Sequence, residues 1–123
     1  MDGLTYSFET PETARRGLRP RALVRVLAHI EANAGERHTL ASLAEVACVS
    51  RFHFARMFRR SMGCTVMAYL TRVRIELAKP RLLENESLSV LAASLGFCDQ
   101  SHFTRVFRRA TGVTPKRYLA TDA

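Results

Sequence analysis

A chain of 123 residues is long enough for one ordinary domain and too short for two independent ones. It is 47% apolar, so it can bury a core, and its 19 Lys+Arg against 11 Asp+Glu give a formal charge of +8, which suits a polyanionic partner. No apolar run approaches the ~18 residues of a membrane span, and the first residues lack a signal-peptide core, which leaves the cytoplasm as the expected compartment.

In chain order, residues 1–19 carry Gly3, Pro11, Gly17 and the pair Arg15-Arg16, and are expected to form a mobile arm. That arm is either a basic tail or the remnant of an upstream domain. Further on, Thr39 is placed to cap a short helix whose inner face holds Leu40, Leu43, Ala44 and Ala47. Cys48-Val49 make a turn, and Ser50 caps a second helix with Phe54 and Phe58 at i, i+4 on its inner face. Gly63 ends it. The same order then returns: Ser87 as cap, Leu88, Leu91, Ala92 and Leu95, a turn at Gly96-Phe97-Cys98, Asp99 as cap, Phe103 and Phe107, and Gly112. Thr114-Pro115 opens a last short helix, with proline where its missing N–H costs nothing.

The return is a duplication. HFARMFRRSMGCTVMAYL at 53–70 and HFTRVFRRATGVTPKRYL at 102–119 share His, Phe, Arg, Phe, Arg, Arg, Gly, Thr, Tyr and Leu at a spacing of 49. Upstream, Leu43-Ala44 matches Leu91-Ala92 at a spacing of 48, so the second copy has one extra residue in its turn. Two copies are too few for a solenoid. The basic excess follows the copies: residues 50–81 hold Arg51, Arg56, Arg59, Arg60, Arg72, Arg74, Lys79 and Arg81 against Glu76 alone. In each copy the second helix turns arginines outward, Arg56, Arg59 and Arg60 in one and Arg105, Arg108 and Arg109 in the other. A short helix, a tight turn and a basic second helix make a helix-turn-helix, whose second helix enters the DNA major groove. Arginine suits that task because its planar fork grips guanine or phosphate.

These residues resemble the DNA-binding domain of the AraC/XylS family of bacterial transcription regulators. The resemblance rests on Leu43-Ala44, Ser50, Phe54, Arg56, Phe58, Arg59 and Gly63, and then on Leu91-Ala92, LGF at 95–97, DQSHF at 99–103, Arg105, FRR at 107–109, Gly112, TP at 114–115 and Tyr118-Leu119. It implies an all-α fold of about seven helices over residues 20–123: a first helix near 20–34, helix-turn-helix subdomains at 39–63 and 87–112, a connecting helix at 64–84 and a terminal helix near 115–121. It also implies that one monomer reads two successive major-groove segments of double-stranded DNA, about one ~34 Å turn apart.

Carried over position by position, the resemblance puts base contacts at Arg51, Phe52, Ala55 and Arg56 in the first motif and at Gln100, Ser101, His102 and Arg105 in the second. Phosphate contacts fall on Ser50, Arg59, Arg60, Arg108, Arg109, Thr114 and Lys116. It favours activation, with RNA polymerase as a second partner and a nucleoid-associated location. No cofactor is implied. Met1 and the arm favour a domain that stands alone, like the small activators of that family, with abundance rather than a metabolite setting activity.

Two residues depart from the family pattern. Ala55 offers only a methyl, to thymine for example, where a longer polar side chain often reads a base. Pro80 falls inside the connecting helix, where losing the bond to the Glu76 carbonyl costs ~3 kcal/mol. A kink near 76–80 is expected, or a helix that stops and restarts at Pro80.

Other chemistry finds little support. His53 and His102 lack partners at metal-ligand spacing, so no metal is expected. His29 and His38 read as solvent-facing. Cys48, Cys64 and Cys98 read as small buried apolar residues, and Phe52 is evenly divided between packing and thymine contact. There is no phosphate loop, nucleophile elbow or carboxylate pair, so no catalytic residue is assigned and the chain is not read as an enzyme. A protein-interaction module is the competing function, and an apolar patch away from the arginine faces would favour it.

Overall fold

The computed structural model describes residues 17–122. Among the described residues there are seven helices and no strand: α1 Pro20–Ala32, α2 Leu40–Ala47, α3 Arg51–Met62, α4 Val66–Leu83, α5 Leu88–Ser94, α6 Gln100–Thr111 and α7 Pro115–Asp122. The all-α expectation holds, with helix ends shifted by a residue or two.

Local chemistry sets the ends of these helices. The Thr39 hydroxyl accepts the Ser42 N–H while the Ser42 hydroxyl accepts the Thr39 N–H, a reciprocal cap that starts α2. Ser50, Ser87 and Asp99 accept the N–H groups of His53, Val90 and His102 at the starts of α3, α5 and α6. Gly63 and Gly112 close α3 and α6 at φ of 78° and 89°, each donating its N–H to the carbonyl of Arg59 or Arg108. Glycine fits that left-handed backbone without a Cβ penalty.

The chain divides into two compact units. One comprises 17–29 with His38–Tyr69, the other Ile30–Arg37 with 70–122. In the first, α2 packs on α3, and Leu43, Ala44, Ala47, Phe54, Met57 and Phe58 are buried. The Phe58 ring lies 5.8 Å from Phe54 and 5.9 Å from Tyr69. In the second, α5 and α7 pack on α6 around Ile75, Leu82, Leu91, Phe97, Phe103 and Phe107. There the Phe107 ring lies 5.7 Å from Phe103 and 5.4 Å from Tyr118. The duplication thus reproduces a Phe–Phe–Tyr stack in each unit. Each fully buried aromatic contributes about 1.5–3 kcal/mol of apolar burial.

Four expectations need adjustment. Helix α4 runs unbroken through Pro80, so it does not stop and restart there. The proline is exposed and close to the helix end, where water can serve the carbonyl it orphans. Gly17 and Leu18 belong to the folded unit rather than to the arm expected over 1–19. Leu18 is buried and its N–H donates to the Ser61 hydroxyl at 2.8 Å, while a Cβ on Gly17 would collide with that hydroxyl. Residues 1–16 lie outside the described residues. His29 and His38 are half-buried, their rings edge to face at 5.6 Å, because the chain between α1 and α2 folds back on itself. Cys48 and Cys98 are exposed and Cys64 is half-buried, since their places in turns, not their apolarity, set their burial.

Candidate nucleic-acid interface

Helix α3 buries Phe54, Met57 and Phe58 and so turns residues 52, 56, 59 and 60 the other way. Arg51, Phe52, Arg56, Arg59 and Arg60 are all exposed, and Ala55 is half-buried between the two faces. Arg56, Arg59 and Arg60 line one shallow open depression. Phe52 is 70% exposed, which removes packing as its role, and the Arg51 guanidinium lies over its ring at 5.1 Å. That contact holds a cation and an apolar plane together at the start of the helix.

Helix α6 repeats the arrangement. Phe103 and Phe107 are buried, while Gln100, Ser101, Arg105, Arg108 and Arg109 are exposed. His102 is half-buried and turned partly inward. Its Nδ1 accepts the Cys98 N–H at 3.2 Å, and its ring meets the Phe97 ring edge-on at 5.5 Å. That job braces the turn and leaves Nε2 as the ring edge for any base. The arginines in the last turns of α3 and α6 also favour the negative helix ends, so part of their place is structural.

At the helix starts, Ser50 is exposed, and Thr114 is half-buried with its hydroxyl accepting the Arg117 N–H at 3.2 Å. Exposed Lys116 stands beside Thr114 and Arg117 in a second shallow depression.

Several of the cations in 50–81 have structural partners. The Lys79 ammonium meets Glu76 at 2.7 Å, and the Arg81 fork binds both oxygens of Glu86, with Nε at 3.1 Å. The hydrogen bond from Arg81 holds the Glu86 carboxyl below its ordinary pKa. Arg74 donates to the carbonyls of Ala34 and Glu36 at 2.7 and 2.9 Å, and burial lowers its pKa.

The repeat identifies positions that the residue-by-residue reading passed over. Thr104 is the equivalent of Ala55 at the spacing of 49 and is likewise half-buried. Thr65 is the equivalent of Thr114, and its hydroxyl likewise accepts a helix-start N–H, that of Ala68 at 3.1 Å. Arg74 gave no such signal, because its partners lie about 40 residues away.

A helix, a tight turn and a second helix with an exposed basic face, present twice, define a helix-turn-helix DNA-binding domain. Residues 43–121 match the family model described as a helix-turn-helix domain. The chain is 38% identical over 69 residues to the RCS-specific HTH-type transcriptional activator RclR of Escherichia coli K12, covering 54% of this chain and 24% of that protein. The C-terminal domain of AraT, a response regulator from Geobacillus stearothermophilus, superposes with a TM-score of 0.78 at 30% identity, covering 85% of this chain and 87% of that one. The DNA-binding domain of the transcriptional factor AdpA, solved with a target DNA, gives 0.73 at 31% identity over 81% and 91% of the two chains. The chain belongs to the AraC/XylS family of DNA-binding domains of transcription regulators. It spans about a fifth to a third of the length of the curated relatives it matches.

Proposed function

We infer that this chain regulates transcription by reading two adjacent major-groove segments of duplex DNA as a monomer, α3 in one and α6 in the other. The observation that carries the reading is the equivalence of exposed arginines on two similarly capped helices: Arg56 with Arg105, Arg59 with Arg108, Arg60 with Arg109. Arg56 and Arg105, nearer the helix starts, are the base readers, with Arg51, Phe52 and Ala55 beside one and Gln100, Ser101 and His102 beside the other. Arg59, Arg60, Arg108, Arg109 and Lys116 clamp phosphate, as do the helix starts at Ser50 and Thr114. Activation is the outcome that the named activator RclR suggests, and action on DNA would place the chain in the cytoplasm, at the nucleoid.

Selection of bound duplexes from a random pool near physiological salt tests this. A bipartite motif with halves about one ~34 Å turn apart is expected, and Arg56→Ala and Arg105→Ala should each blur a different half. Recovery of nothing above background would overturn the reading.

A second partner rests on α1. Val24 is 65% exposed in a mainly apolar depression with Pro20, Arg21 and Arg25, an apolar surface that a protein partner, here proposed to be RNA polymerase, would cover. Polymerase binding should survive loss of Arg56 and Arg105 and be lost with Val24→Glu.

A further inference from the structure

The Arg74 guanidinium sits at the meeting point of three segments of the second unit. Two of its nitrogens donate to the carbonyls of Ala34 and Glu36, which fixes the plane of the fork. Its face lies against the turn between α5 and α6. A Cβ on Gly96 would come within 2.7 Å of an Arg74 nitrogen and 2.8 Å of its Cζ, so a side chain there would have to displace the fork. The Phe97 ring lies 5.9 Å from the guanidinium carbon. Phe97 in turn packs on Phe103 at 5.1 Å and on His102 at 5.5 Å, two residues in the first turn of α6. Nearby, a Cβ on Gly35 would strike the Ser94 carbonyl at 2.1 Å, so the 34–36 segment presses closely on the end of α5.

We propose that Arg74 is a positioning residue for DNA reading: anchored by the Ala34 and Glu36 carbonyls, it seats Gly96 and Phe97 and thereby fixes the base-reading start of α6. It rests on the DNA reading above and adds a residue outside both reading helices. An arginine in a basic stretch of a DNA-binding domain otherwise counts as a phosphate contact. Its two carbonyl partners, its aromatic neighbour and its partial burial remove it from that set. Lysine keeps the charge but cannot supply two divergent N–H groups and a stacking plane together.

The test is Arg74→Lys in the full chain, with two readouts at a temperature where circular dichroism shows native helix content. Duplex selection should lose preference at the base positions assigned to α6 by about tenfold, the scale of one lost bidentate contact. The α3 half should keep its preference, and the salt dependence of binding should keep its slope. Amide hydrogen exchange, measured without DNA, should speed up by about tenfold at residues 97–103 and not in α3. An unchanged preference in both halves would overturn the proposal. So would uniform weakening with a slope reduced by about 0.9, which marks a phosphate contact. If Arg74→Lys does not fold, Phe97→Leu must give the same half-specific pattern, or the proposal fails. A wild-type chain that selects no motif would sink the DNA reading itself, and amide exchange at residues 97–103 would still decide the placement of Arg74.

Discussion

The two helix-turn-helix motifs share an ancestry in sequence and differ in how their turns are held. The first turn places Cys48 in the left-handed region at φ 61°, and the second places Gly96 there at 86°. Each unit has an arginine on the helix before its motif that bonds backbone carbonyls, Arg25 in α1 and Arg74 in α4. Arg25 makes an exposed hydrogen bond to the Val46 carbonyl at 3.3 Å. Arg74 is tucked in, with two carbonyls and an aromatic ring around it. A Cβ is present at the first turn, and at the second it would have to push the guanidinium aside. Two copies with the same aromatic core therefore differ in the contacts around their turns, and the second turn has more of them.

The largest test of this comparison is in the cores. Phe58→Ala and Phe107→Ala remove equivalent, fully buried rings, and each should cost about 3–5 kcal/mol in chemical denaturation. Equal losses would show that the difference between the motifs lies outside the aromatic stacks.

On DNA the contrast should be between positions along a helix as much as between helices. Arg105→Ala and Arg56→Ala should each cost ~1–3 kcal/mol and relax one half of the site. Arg109→Ala should weaken all sequences alike and reduce the salt slope by about 0.9. Quantitative binding to single-base variants of the selected site checks both. An Arg105→Ala protein with intact base preference would refute its role.

The turns themselves give smaller effects of opposite sign. Gly96→Ala adds a strained left-handed residue and a contact with Arg74, and should destabilise by at least ~1–2 kcal/mol. Cys48→Gly relieves left-handed strain but frees the unfolded chain, so a net gain of about 0.5 kcal/mol is expected from thermal melts.

The smallest effect is a pH dependence confined to the second unit. The Arg81 hydrogen bond depresses the Glu86 pKa, so its contribution is present above the unfolded value of about 4.3 and fades as pH falls through the folded value. The melting temperatures of wild type and Glu86→Gln should differ slightly at pH 6 and converge only as pH falls below the depressed folded value.

What was legible in the sequence was local. Ser50, Asp99, Gly63 and Gly112 act on neighbours within four residues, and Phe54/Phe58 and Phe103/Phe107 follow helical spacing. The exposure of Arg56 and Arg105 follows from the same spacing. What escaped depends on distant chain. The tie between Leu18 and Ser61 joins residues 43 apart, and the Arg74 bonds join residues 40 and 38 apart. Nothing in composition or periodicity separates Arg74 from its exposed neighbour Arg72. The resemblance puts His102 at a base-contact position, and nothing in the sequence showed that its Nδ1 also serves the turn before it.

The segment Ile30–Arg37 precedes the first motif in the chain yet belongs to the unit that contains the second. Descent by duplication would suggest modules that can be cut apart and recombined. This chain has given that up: a fragment starting at Leu70 would carry Arg74 without its two carbonyls, and Ser94 without the glycine pressed against it. The boundary drawn by the repeat and the boundary drawn by packing do not coincide, so a second motif swapped between relatives would need the 30–37 segment with it to keep these contacts.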